Sequence, residues 1–142
     1  MGIDVGGVLK EHSHESNLHD GETRWVPKAE WALKRLHKIR KLYIISRVHP
    51  GHTNAMRNLL RNSFVIKYIP ESRWFFVPQR IDKVTIMQQH GIGTLVDDRR
   101  DIIEWVKEAG LCGILFRSKE YPNWKSIVQE LQESQRYIDM QE

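Results

Sequence analysis

The chain reads as an α/β protein, a three-layer doubly wound parallel sheet in a single domain over residues 1–142. Three observations predict this. Short β-branched apolar runs alternate with amphipathic stretches of helical period about five times along the chain. Proline and glycine punctuate the alternation at Pro27, Gly91 and Gly110, where helices should start or stop. With 142 residues, 40% of them apolar, there is enough chain for one core and too little for two ordinary domains.

Taken in order, "GIDVGGVL" is a short apolar strand broken by glycines. The polar stretch "KEHSHESNLHDGETRW" follows, with three histidines and no period, and reads as a loop. "VPKAEWALKRLHKIRK" opens with Pro27 in a first helical turn and repeats apolar side chains at Ala29, Leu33, Leu36 and Ile39, leaving a basic outer face. "KLYIIS" has the pattern of a strand buried on both sides. A second helix, "HPGHTNAMRNLLRN", places Ala55, Met56, Leu59 and Leu60 on one side. "SFVIKYI" and "WFFV" are both strand candidates, parted by a Pro-containing turn. Next come a helix in "QRIDKVTIMQQHG" stopped by Gly91, the strand "GTLV", a helix "RDIIEWVKEAG" closed by Gly110, and the strand "LCGILF". A last helix from about Trp124 carries Ile127, Val128, Leu131, Tyr137 and Ile138.

The composition excludes several classes. No apolar run reaches membrane-spanning length, and the start lacks the pattern of a signal peptide, so a cytoplasmic protein with no membrane partner is expected. Cys112 is the single cysteine and lies in an apolar run, which predicts a reduced, buried thiol. The net charge of +4 suits anionic partners without specifying them.

In parallel sheets of this kind ligands bind beyond the carboxyl ends of the strands. The first strand ends at Asp4, the second at Ser46 and the fourth at Asp97 and Asp98, while Lys83 starts the helix before the fourth. Carboxylates of this kind hold a hard divalent cation such as Mg2+, a hydroxyl and an ammonium hold phosphoryl oxygens, and one carboxylate can attack phosphorus.

On these residues the chain resembles the haloacid dehalogenase superfamily. Its members carry Asp-x-Asp-Gly-Thr after the first strand, Ser or Thr after the second, a Lys before the fourth and an acidic pair after it. The matching segments are "GIDVGGVL", "YIISRVHPG", "RIDKVTIMQQ" and "TLVDDRRDI", within a likeness running from Gly2 to Phe116. The resemblance implies a small Mg2+-dependent phosphatase without a large cap. Asp4 would be the nucleophile that forms an aspartyl-phosphate, and Ser46, Arg47 and Lys83 would bind phosphate. Asp4, the Gly6 carbonyl, Asp97 and Asp98 would hold the metal. The expected substrate is an exposed phosphate, on a nucleotide, a nucleic acid or another macromolecule, and an oligomer is compatible with an uncapped site.

One departure matters. Family phosphatases carry a second Asp where this chain has Gly6, and that Asp protonates the leaving group. General acid-base help is worth about two to four orders of magnitude in rate. Its loss predicts a slow enzyme, a changed reaction, or a module that only binds phosphate or protein. One reading lets His12, His14 or His19 supply the missing proton, since their loop leaves the nucleophile strand directly. Val8 in place of Thr is a smaller departure.

Other readings compete. "GIDVGG" also resembles the first phosphate loop of actin-like sugar kinases, whose two domains and later motifs this chain lacks. The three loop histidines form a zinc site only if a second ligand cluster joins them. "KRLHKIRK" is a nucleic-acid patch or, as expected here, the solvated face of a helix. Arg99 and Arg100 offer a metal-free way to offset the acidic pair.

Overall fold

A computed structural model of the chain describes residues 1–12 and 23–141. The strands are β1 (Gly2–Ile3), β2 (Tyr43–Arg47), β3 (Trp74–Val77), β4 (Thr94–Asp97) and β5 (Cys112–Leu115). The helices are α1 (Ala29–Leu36), α2 (Thr53–Arg61), α3 (Val65–Tyr68), α4 (Asp82–His90), α5 (Arg100–Glu108) and α6 (Trp124–Gln141). All five strands pair in parallel in the order β3-β2-β1-β4-β5. The order reverses beside β1, because the chain first builds outward through β2 and β3 and then restarts on the other side with β4.

Apolar side chains alternate along the central strands as a buried pleat requires. Ile44 and Val96 join the buried cluster that holds Leu33, Leu36, Ile127 and Val128. Their neighbours Ile45 and Leu95 join a second cluster with Met87, Ile102 and Val106. Each fully buried Leu or Ile contributes about 1.5–3 kcal/mol. Gly91 ends α4 at φ 64°, a left-handed conformation that costs a residue with a Cβ free energy.

The structure corrects several expectations. "SFVIKYI" supplies no strand: it forms α3, with Val65 and Ile69 buried at helical spacing while Ile66 and Lys67 face solvent. "WFFV" is the strand, paired to β2 from Ile44↔Trp74 to Arg47↔Val77. Cys112 is exposed, because it opens the edge strand β5 at its N-terminal end. On α2 Leu60 is buried but Ala55 is exposed, and on α6 Ile127 and Val128 are buried while Tyr137 and Ile138 face solvent. Helix α1 ends at Leu36, so Lys38, Arg40 and Lys41 lie beyond it, not on its outer face.

No described helix is long and apolar enough to cross a membrane.

Candidate active site

Register places the first carboxylates. Ile3 pairs with Val96, and the Asp4 N–H continues the ladder to the Val96 carbonyl at 3.0 Å. One residue further along both strands, Asp4 and Asp97 stand level at the carboxyl edge, beside the reversal in strand order. Lys83 enters from the first turn of α4 and is 1% exposed. Its Nζ lies 2.6 Å from Asp97 Oδ2 and 3.2 Å from Asp4 Oδ1. A buried ammonium is tolerated only when carboxylates pair with it, and here two do.

The balance of charge is uneven. Burial raises the Asp97 carboxyl to about 7, with Asp4 adding to the rise and Lys83 opposing it. Asp4 is raised in the same sense, mainly by burial, with Asp98 adding and Lys83 opposing. Burial works against the Lys83 ammonium, yet Asp4 and Asp97 together raise it above its ordinary value. One ammonium therefore serves two buried carboxylates, and the cluster favours any further positive charge.

Asp98 follows at the end of β4, half-buried, and its Oδ2 lies 2.8 Å from His12 Nε2. The chain brings His12 back over the site through a tight turn in which the Val5 carbonyl accepts from Val8, Leu9 and Lys10. Gly7 permits that turn with φ 78°, and a Cβ there would collide with the Asp98 carboxylate and the His12 ring. A Cβ on Gly6 would meet only the His12 ring, at 3.6 Å. The imidazole thus sits against the space that a Gly6 side chain would enter.

Two remote groups hold this loop. The Trp124 indole N–H, at the start of α6, donates to the Val8 carbonyl at 2.9 Å. Arg117 makes a two-pronged contact to Glu11 at 2.7 and 2.5 Å, beside His12. Sequence reasoning missed both supports, because 116 and 106 residues separate the partners and no local pattern marks them.

Ser46 is buried near the carboxyl end of β2, the strand next to β1. Arg47 is exposed and its Nε donates to the Pro78 carbonyl at 3.3 Å, so its guanidinium is not drawn into the carboxylate cluster. The Arg99 guanidinium hydrogen-bonds to Asp101 and not to the acidic pair, although the charges of Asp97 and Asp98 help to hold it protonated, and its backbone N–H reaches Asp97 Oδ1 at 3.0 Å. His14 and His19 lie outside the described residues.

One oxygen from each of Asp4, Asp97 and Asp98 lies within 4.8 Å of the other two. Three hard oxygen donors with a deficit of positive charge fit a cation of the Mg2+ type. Both Asp97 oxygens already accept hydrogen bonds, from Lys83 and from the Arg99 N–H. Among the described residues no backbone N–H donates to the Gly6 carbonyl. Asp4, Asp98 and that carbonyl are the groups freest to turn toward a metal.

No protein-family model matches the sequence, and no curated protein matches it.

Proposed function

We propose that the chain is a capless member of the haloacid dehalogenase superfamily and acts as a Mg2+-dependent phosphohydrolase. The observation that carries this reading is Lys83, buried at the reversal in strand order and shared between Asp4 and Asp97 with Asp98 in reach. The three-layer, doubly wound arrangement belongs to the same reading. It is supported by the assignment of neighbouring residues on β2 and β4 to two different buried clusters.

In this reading Asp4 attacks phosphorus, the bond to the leaving oxygen breaks, and an aspartyl-phosphate forms that water then hydrolyses. Lys83 and the Ser46 hydroxyl hold phosphoryl oxygens as charge develops. Asp4, Asp98 and the Gly6 carbonyl would hold the metal, while Asp97 fixes Lys83. Mg2+, when bound, offsets the charge of the carboxylates and the phosphoryl group. His12 lies against the empty side of Gly6, with Asp98 orienting its ring, and takes the place of the missing acid in passing a proton to the leaving oxygen. The substrate is an exposed phosphate on a nucleotide or macromolecule.

The bare Gly6 favours a second reading, a module that binds phosphate without turnover. Hydrolysis of an aryl phosphate with and without Mg2+, in wild type and Asp4→Asn, separates the two. The enzyme reading expects turnover that needs both Mg2+ and Asp4. Mg2+-dependent thermal stabilisation by phosphate, with no Asp4-dependent turnover across a panel of phosphate esters, would leave the binding module. Absence of both effects refutes the family assignment.

A further inference from the structure

The basic stretch after α1 has a tertiary partner. Lys38, Arg40 and Lys41 come together with Arg73, from the turn before β3, around an open cleft of about 410 Å³ that His37 and Tyr68 also line. The cleft lies at the amino ends of β2 and β3, whereas Asp4 and Asp97 stand at the carboxyl ends of β1 and β4. It is a separate surface from the candidate active site.

Its charge is unbalanced. Among the described residues no carboxylate forms an ion pair with Lys38, Arg40, Lys41 or Arg73. Glu30 touches the lining at Tyr68, whose hydroxyl donates to it at 3.3 Å, and it lies 3.9 Å from Lys67 Nζ. The two arginines are held in place: Arg73 Nε donates to the Leu42 carbonyl at 2.7 Å, and Arg40 donates to the Ile39 carbonyl at 2.9 Å and to Gln135 at 2.7 Å. Held this way, they lose little side-chain freedom on meeting an anion, while the exposed Lys38 and Lys41 add mobile charge. Aromatic groups are interleaved with these cations. His37 and Tyr68 have ring centroids 5.2 Å apart, and Lys41 and Arg73 lie 5.9 and 5.8 Å from the centre of the Tyr43 ring.

We propose that this cleft binds single-stranded nucleic acid, with Lys38, Arg40, Lys41 and Arg73 on successive phosphates and His37 and Tyr68 against the bases. The cleft is open to solvent, so a strand can cross it and continue past the exposed Lys38 and Lys41. Cations along a groove with flat side chains among them are the combination by which single strands are held without sequence preference. An acidic peptide would use the cations and leave the rings idle.

The test is fluorescence anisotropy with a labelled mixed-sequence DNA strand of about 12 nucleotides, a length within the range that one such surface covers. Metal is left out, so the outcome does not depend on the phosphohydrolase reading. Wild type should bind, and Lys38→Glu with Lys41→Glu should weaken binding about tenfold at low salt. The slope of log affinity against log salt should fall by about 1.4, from about 0.7 for each of two lost phosphate contacts. Lys38→Gln with Lys41→Gln, a milder pair, should move both readouts in the same direction. The charge-matched control, Lys107→Glu with Lys125→Glu, should bind like wild type. Absence of binding at low salt, equal loss in the control, or equal competition by poly-glutamate or by vesicles of anionic lipid would each overturn the proposal.

Discussion

Replacing Lys83 by Met keeps the length and apolar stem of the side chain and removes the ammonium that lies between Asp4 and Asp97. At 2.6 and 3.2 Å, with an effective dielectric constant of about 20, each contact carries about 5–6 kcal/mol of attraction before desolvation. Burying the three charged groups cancels much of this, and breaking a buried pair from one side usually costs about 3–5 kcal/mol. That range is the loss expected at pH 8 without metal. The pH dependence follows from the carboxyls. A native-state Asp97 carboxyl raised to about 7 binds a proton that the unfolded chain has already released above about 4. Stability in wild type therefore falls as pH rises through that window. Removing Lys83 raises both carboxyls further and steepens the fall. At pH 5 the carboxyls take up protons, and the deficit of the variant should shrink to about 1–2 kcal/mol, the scale of the lost hydrogen bonds. Urea unfolding in EDTA, followed by the fluorescence of buried Trp74 and Trp124, measures both values. A variant as stable as wild type at pH 8, or a deficit of equal size at pH 5 and pH 8, refutes this account of the cluster.

Two further substitutions probe the loop over the site. Gly6→Asp should fold, since its Cβ meets only the His12 ring at 3.6 Å, and should change aryl phosphate turnover by less than about tenfold where His12 already passes the proton. His12→Ala should lose about a hundredfold in turnover and Gly6→Asp should restore it in that background; a folded His12→Ala with wild-type turnover, or a loss that Gly6→Asp does not restore, counts against the proton-donor argument. Gly7→Ala should cost about 2 kcal/mol or more, from a Cβ at φ 78° that also strikes Asp98 and His12. An urea midpoint within error of wild type would show that the turn does not need glycine.

How much of this was legible along the chain depended on how local the causes were. The period of "AEWALKRL", the stop at Gly91 and the buried run "YIIS" act within a few residues, and α1, α4 and β2 appear where they point. "FVIKYI" misled because β-branched content and helical spacing disagree there, and the i to i+4 burial of Val65 and Ile69 prevailed. Cys112 misled because apolar neighbours do not reveal that a strand lies at the edge of a sheet.

By itself the sequence determined the alternation of strands and helices and the placing of Asp4, Ser46, Lys83, Asp97 and Asp98 at element ends, because periodicity and turn chemistry are short-range. Only the tertiary structure decided what those ends meet. Register across β1 and β4 set Asp4 level with Asp97, and α4 carried Lys83 between them. The turn at Gly7, held by Trp124 and Arg117 from more than a hundred residues away, brought His12 against Gly6 and Asp98. Such pairings arise from the closure of long loops around a shared core, and no local pattern encodes which two segments will meet.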